Sequence, residues 1–264
     1  MSIFSQKENV EKQYSNANNL SARYKLHEKH STNKKGFTPW LFELYDFKEN
    51  DHILELGCGT GAQWEGRTST LPTGCSLLLT DFSEGMVAAA KERLAASENI
   101  QFQQADIQDI PFAGESFDVI IANHMLYHVP DLDKALSEVY RVLKTGGCFY
   151  TTTGSNNGML QYFYDVLQKF DPNTHAFTKK LSFHIDNGCE ILQRHFPHVT
   201  RHDYEDSLAV TDTNDIMDWL RSTISMSGYS EAEFSGLYDY FEAIRLEKWC
   251  IEIPKEQGLF ICSK

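Results

Sequence analysis

The run Glu55-Leu56-Gly57-Cys58-Gly59-Thr60-Gly61 places three glycines at every second position directly after an apolar segment. Glycines so spaced let a backbone turn sharply and approach a ligand where side chains would collide. Gly57-x-Gly59-x-x-Ala62 also satisfies a permissive dinucleotide fingerprint, and Asp81 stands about where a ribose-binding acid belongs. The plain alternative is a tight strand-to-helix turn with no ligand. Further along are Asp106-Ile107, then Asn123-His124 with Tyr127 and His128. Taken singly, the aspartates read as loop acids or helix caps. The histidines read singly as packing or capping groups. An unperturbed histidine pKa of about 6.5 nevertheless suits proton transfer. If the segment after Asn123 begins a helix, His124 and His128 lie four apart on one face, with Tyr127 one step aside.

Elements must bring these residues together. Apolar runs at 52–56, 76–80, 100–104, 117–122 and 148–153 read as strands covered on both faces. Between them, Ser83 caps a helix with Met86, Val87, Ala90 and Leu94 inward. A stripe of Leu132, Ala135, Leu136, Val139, Tyr140 and Leu143 marks another, stopped by Gly146-Gly147. The alternation predicts βαβ units and an open parallel sheet. Later, helices are expected at 159–170, at 186–196 capped by Asp186, and at 213–226. Ser230 and Glu233 form a capping box opening a helix through Trp249, and strands are expected at 199–204 and 258–262. The first 40 residues are polar with spaced aromatics (Tyr14, Tyr24, Phe37, Trp40) and read as a helical arm. Its His27 and His30 are expected on a solvated helix face, although His27 is placed to cover a cofactor.

Five segments in series carry a resemblance: ELGCGTG at 55–61, LTDFSEGM at 79–86, ADIQDIPF at 105–112, SFDVIIANHMLYHV at 116–129 and RVLKTGG at 141–147. Over residues 50–153 the chain resembles class I S-adenosylmethionine-dependent methyltransferases. It is most similar to the ubiquinone/menaquinone-biosynthesis type, which methylates small molecules. Thr145 stands where that family usually has proline. The resemblance implies a Rossmann-like, mostly parallel seven-stranded sheet flanked by helices, with the last strand antiparallel. It also implies S-adenosylmethionine as cofactor and S-adenosylhomocysteine as product. Gly57, Gly59 and Gly61 would pack on the methionine part, with Glu55 beneath. Asp81 and Phe82 would meet the ribose side, and Asp106 and Ile107 the adenine. Asn123 and His124 would lie near the donated methyl, and His128, His124 and Tyr127 would be the catalytic candidates. No metal is implied, because no acidic ligands follow the fourth strand. Nor does the chain hold the Asn/Asp-Pro-Pro-aromatic motif by which nucleic-acid amino methyltransferases grip a base. A nicotinamide-dependent oxidoreductase and a non-catalytic S-adenosylmethionine-binding protein are the competing readings.

Composition narrows partners and place. In 264 residues the formal net charge is −13, and no basic run exceeds Lys34-Lys35 or Lys179-Lys180. Nucleic acid and anionic membranes are therefore poor partners. The six cysteines form no CxxC pair, the first residues resemble no signal peptide, and no run approaches the ~18 apolar residues of a membrane span. A cytoplasmic protein with reduced thiols is expected, acting on a small molecule as a monomer or homodimer. The chain reads as a single domain: an N-terminal helical cap at 1–45, a cofactor-binding core at 46–153, and a substrate lid with closing strands at 154–264. Helical insertions between the fifth and seventh strands would roof the pocket.

Overall fold

The computed structural model describes residues 18–95, 99–178 and 180–264. Tyr14, with the rest of residues 1–17, lies outside the described residues. Two helices open the described chain, α1 (Asn18–His30) and α2 (Phe37–Leu44). Seven strands follow: β1 (His52–Leu56), β2 (Ser76–Asp81), β3 (Ile100–Gln104), β4 (Phe117–Asn123), β5 (Leu143–Gly154), β6 (His198–Val210) and β7 (Ile251–Ser263). The interspersed helices are α3 (Glu84–Arg93), α4 (Leu132–Val142), α5 (Met159–Phe170), α6 (Gly188–Leu192), α7 (Thr213–Arg221) and α8 (Glu231–Lys248).

The sheet order is β3-β2-β1-β4-β5-β7-β6. β1 pairs in parallel with both β2 and β4, so the chain reverses its direction of travel across the sheet beside β1. Ligands of open α/β sheets bind outside the carboxyl ends of strands at such a switch point. β7 runs antiparallel to β5 and to β6.

Side chains alternate faces along each strand and so sort into two cores. Leu54, Ile120 and Phe149 pack with α4 and with Phe196 after α6, whereas Ile53, Leu79, Ile121 and Tyr150 pack with α2 and α3. A third core lies at the far end of the β6–β7 ladder. There Leu208, Val210, Ile251 and Ile253 meet α5, α7, α8 and Leu26 of the arm.

Several expectations take a different form. The β1–β2 link holds only 3-10 turns at Ala62–Trp64 and Thr68–Thr70, where alternation calls for a helix. Gly66, Pro72 and Gly74 punctuate that short link and leave no uninterrupted helical run. The 186–196 helix shrinks to Gly188–Leu192 and starts at Asn187, whose Oδ1 accepts from the His184 main chain, so Asp186 is no cap. The 213–226 helix stops at Arg221, and 3-10 geometry covers Ile224–Met226. β5, β6 and β7 run longer than their apolar stretches, because main-chain pairing continues through polar residues. The Ser83 cap and the Ser230–Glu233 capping box are present.

The arm is held by buried charge. Asp215 on α7 is 2% exposed and receives Lys29 Nζ at 2.6 Å and His30 Nε2 at 2.7 Å. Lys25 Nζ lies 2.8 Å from its other oxygen as an ion-pair contact. His30 is thus buried, not solvated, at 3% exposure. Burial pushes the Asp215 carboxyl up, but Lys25, Lys29 and His30 outweigh it and hold the group well below the usual carboxylate range. Its stabilising effect is therefore full above the unfolded carboxylate pKa of about 3.9 and is lost as pH falls through the folded value. Asp215→Asn should cost about 1–3 kcal/mol in urea unfolding near neutral pH. Its stability should also fall less steeply below pH ~4 than the parent's. Equal stability at both pH values would show that the arm is held by Leu26 packing alone.

Candidate cofactor and acceptor site

A cavity of about 960 Å³ opens at the carboxyl ends of β1, β2 and β4, at the upper end of the ~300–1,000 Å³ usual for small-molecule sites. Its floor is the glycine loop. Gly57, Gly59 and Gly61 have φ of 73°, 55° and 69°, a left-handed region that other L-residues enter only with strain. A Cβ on Gly57 would stand 3.0 Å from the Met125 side chain. The loop does not flow into an α-helix, so main-chain turns alone shape it.

Glu55, next to last in β1, is 2% exposed and accepts hydrogen bonds from Gln63 Nε2 and Trp64 Nε1. Because a carboxylate only accepts, Gln63 turns its amide nitrogen to Glu55 and its oxygen to Asn123. Asn123 Nδ2 donates to that oxygen at 3.0 Å and to the Tyr45 hydroxyl at 2.8 Å. Asn123 Oδ1 is thereby left buried without a protein partner, and the residue lines the cavity. Burial pushes the Glu55 carboxyl up to about 7, against the two hydrogen bonds.

Asp81 sits at the end of β2. One carboxylate oxygen accepts from the Gly59 N–H at 2.9 Å and the other from the Ser83 N–H at 2.8 Å. Each oxygen has a second lone pair, so two further hydroxyl donors fit. Burial raises this carboxyl, opposed by those main-chain donors. Asp106 accepts from the Gln108 main chain at 2.9 Å and lines the cavity beside Ile107 and Phe82. Every sequence-derived site residue apart from Gly61 lines this one cavity: Glu55, Gly57, Gly59, Asp81, Phe82, Asp106, Ile107, Asn123, His124, Tyr127 and His128. Gly61 stands behind it, where a Cβ would meet Leu94 at 3.0 Å.

The segment after β4 is no α-helix. His124 takes φ 49° and its N–H bonds to Thr152, and a 3-10 turn covers Leu126–His128. The shared helical face expected for His124 and His128 is therefore absent, although both line the cavity. Phe37 packs against the His124 ring at 5.4 Å, and Tyr127 meets the His128 ring edge-on at 4.5 Å.

The upper wall comes from the arm, where the sequence offered His27 alone as a cofactor cover, and from β7, where it offered no site residue. His27 lines the cavity with its Nδ1 buried and unpartnered, so the solvated-face expectation fails for it too. Lys255 and Gln257 line the wall opposite. Their signal was two polar positions, two apart, on a strand face otherwise led by Ile251, Ile253, Leu259 and Ile261. No lining side chain comes from α5, α7 or α8; those helices stand behind α1. Among the described residues no group of three or more His, Cys, Asp or Glu side chains is placed to hold a metal ion. Nor, among them, is any helix long and apolar enough to cross a membrane.

Residues 54–151 match the family Methyltransf_11, described as a methyltransferase domain. The demethylmenaquinone methyltransferase of Clavibacter sepedonicus is 37% identical over 97 residues, covering 37% of this chain and 38% of that protein. That of Lactobacillus johnsonii is 28% identical over 159 residues, covering 58% of this chain and 64% of that protein. The chain thus spans 38% and 64% of the length of these relatives. Among solved structures, phosphoethanolamine N-methyltransferase 2 of Haemonchus contortus, in complex with phosphomonomethylethanolamine and S-adenosylhomocysteine, is similar in fold. Its TM-score is 0.53 at 19% identity, covering 85% of this chain and 51% of that one. Residues 54–151 thus match a methyltransferase domain, and the fold is similar to that of a solved methyltransferase. Over that part of the chain its sequence likeness is to demethylmenaquinone methyltransferases.

Burial, with the Lys255 charge adding to it, lowers His124 to about 4 and His27 to about 3. Both rings are neutral from pH 6 to 9. The unfolded chain takes up protons below about 6.5 that the fold refuses, so acidification from there toward pH 4 weakens the folded state. Histidine ring signals in NMR should show His27 and His124 uncharged at pH 5. Titration of either near 6.5 would mean that water fills this part of the cavity.

Proposed function

We propose that the chain transfers a methyl group from S-adenosylmethionine to a small-molecule acceptor. The observation that carries the reading is the cavity floor: three left-handed glycines, an Asp81 carboxylate with two lone pairs to spare, and the orphaned Asn123 oxygen. These groups fit a nucleoside joined to an amino acid. The bound cofactor supplies a methyl carbon on a positively charged sulfur, which makes a good leaving group.

The protein's own part is to bind and orient. Asp81 holds the two ribose hydroxyls with Phe82 alongside, and Asp106 and the Ile107 N–H receive the adenine edge. Gly57, Gly59 and Gly61 admit the methionine portion to the main chain. Glu55, through Gln63 and Asn123, sets the acceptor atoms that face its ammonium. His124, neutral and packed by Phe37, borders the methyl position. His128, with Tyr127 beside it, is the residue we assign to remove an acceptor proton. The division into a cap at 1–45, a core at 46–153 and a lid with closing strands at 154–264 is part of the same proposal. So is a cytoplasmic monomer or homodimer, consistent with six free cysteines and the acidic surface. Residues outside 54–151, among them His27, Phe37, Lys255 and Gln257, share in lining the cavity, so the relatives' substrate does not follow from the matched domain.

Calorimetry should show S-adenosylmethionine and S-adenosylhomocysteine sharing one site, with nicotinamide dinucleotides binding poorly. Asp81→Ala should weaken S-adenosylhomocysteine by about 1.5–3 kcal/mol, as charge-assisted hydrogen bonds contribute. A cationic amino group favours ionised Glu55, so affinity should rise with pH through about 7 as a proton is released. Tight dinucleotide binding without S-adenosylhomocysteine binding would sink the proposal.

Once an acceptor is in hand, His128→Ala should slow single-turnover transfer about 10²-fold with cofactor affinity little changed. A variant with full rate and the parent pH profile would reduce His128 to packing.

A further inference from the structure

The glycine loop, Asp81 and Asp106 account for one half of the cavity. The other half, walled by α1 and β7, has polar groups that the proposed cofactor does not use. Lys255 and Gln257 are two apart in β7 and share a face of the strand. Register places Asp206 and Tyr204 of β6 opposite them. Lys255 Nζ donates to Asp206 Oδ2 at 2.6 Å. The same carboxylate accepts from Ser31 Oγ at 2.7 Å and from the Asn33 and Ser207 N–H groups at 3.1 and 2.9 Å. Asp206 is thus fully hydrogen-bonded, and it fixes the ammonium while using one of its three hydrogens. Lys255 is 8% exposed at its side chain, yet lines the cavity.

Two further residues line the same space and hold a buried polar atom without a partner. Gln257 is 8% exposed and its Nε2 is buried with no partner in the protein. His27 Nδ1, on the arm across from it, is in the same condition. A buried amide nitrogen without an acceptor is rare in folded proteins unless water or a ligand supplies one. The ammonium and the amide nitrogen can only donate, so what they bind must accept. A protonated amine would offer no acceptor and would set a like charge beside Lys255. A phenolate, enolate or carboxylate oxygen would satisfy both donors, and the Phe37 and Tyr127 rings offer apolar surface to the body behind it.

We infer that Lys255, Gln257 and His27 form the acceptor subsite, and that it takes a small molecule presenting an anionic oxygen. The word acceptor rests on the methyl-transfer reading; the binding of the oxygen does not. The subsite joins β7 to the arm, so it exists only when α1 is docked through Asp215. On the arm side the cavity is also lined by the charged residues Arg23, Lys25 and Glu28 of α1 and by Lys34 after it, Asp206 of β6 pairs with Lys255, and His27 and His124 are uncharged.

The probe is para-nitrophenol, whose phenolate absorbs visible light and whose neutral form does not. It is titrated into the full chain saturated with S-adenosylhomocysteine, at a pH near the probe's own pKa. The expected result is a bound phenolate that titrates at lower pH than the free probe. Lys255→Met should weaken it about tenfold or more and Gln257→Leu several-fold, while both keep the parent's S-adenosylhomocysteine affinity. Gln257→Leu leaves the Lys255–Asp206 pair intact, so it decides the matter if Lys255→Met does not fold. No binding to the parent, binding as neutral phenol, or parent-like binding by the folded variants would overturn the subsite. If S-adenosylhomocysteine itself does not bind, the same titration on the free chain separates the two ideas. Phenolate binding lost in the variants would then keep the subsite while the methyl-transfer reading falls.

Discussion

Glu55 stands near the carboxyl end of β1 with its carboxylate out of water, and a carboxylate can only accept. That one-way demand orients its surroundings. Trp64 and Gln63 turn their N–H groups inward, Gln63 then shows its oxygen to Asn123, and Asn123, a lining residue of the cavity, keeps a buried acceptor without a partner. Trp64, fully buried, closes the 3-10 turn of the β1–β2 link and packs with Phe42 and Phe47 of the chain after α1. The helix whose N-terminus often serves such a loop is gone. Oriented side chains have taken over the work of oriented main-chain dipoles.

Burial of that carboxylate is opposed by only two neutral donors, which is why it ionises near neutral pH and not in the acid range. The contrast with Asp215 is instructive. Both carboxylates are 2% exposed, but Asp215 faces two lysines and a histidine and stays charged. The first is poised for a cation that arrives with a ligand. The second has its cations built into the arm, and it serves attachment.

The arm is therefore part of the site. Leu26 enters the core of the distal helices, Asp215 and Asp206 anchor the turns on either side of His30, and Phe37 reaches His124. The helices between β5 and β7 act on the cavity at one remove, by holding the arm that walls it. Such an arrangement lets acceptor choice vary with α1 and β7 while the glycine loop is left alone.

The sequence alone determined the succession of strands along residues 52–153, because short apolar runs stand between capped helices and glycine turns; only β3 departs from the expected cover on both faces, since it lies at the sheet edge with Gln101, Gln103 and Gln104 exposed. It also singled out Glu55, the three glycines, Asp81, Asp106, Asn123 and the histidines after β4, since those groups lie in contiguous segments whose spacing is local. It misjudged His27 and His30, because exposure of a polar helix face depends on what docks against it, and α7 lies some 185 positions away. It missed Lys255 and Gln257 for a related reason. A polar pair in a strand reads as its solvent face until the tertiary structure sets an arm across it. The helix expected from His124 failed on main-chain grounds, because the His124 N–H is taken by Thr152 of β5. Local periodicity fixed the elements and the floor of the site; long-range packing alone decided its walls, its buried charges and which histidines stay neutral.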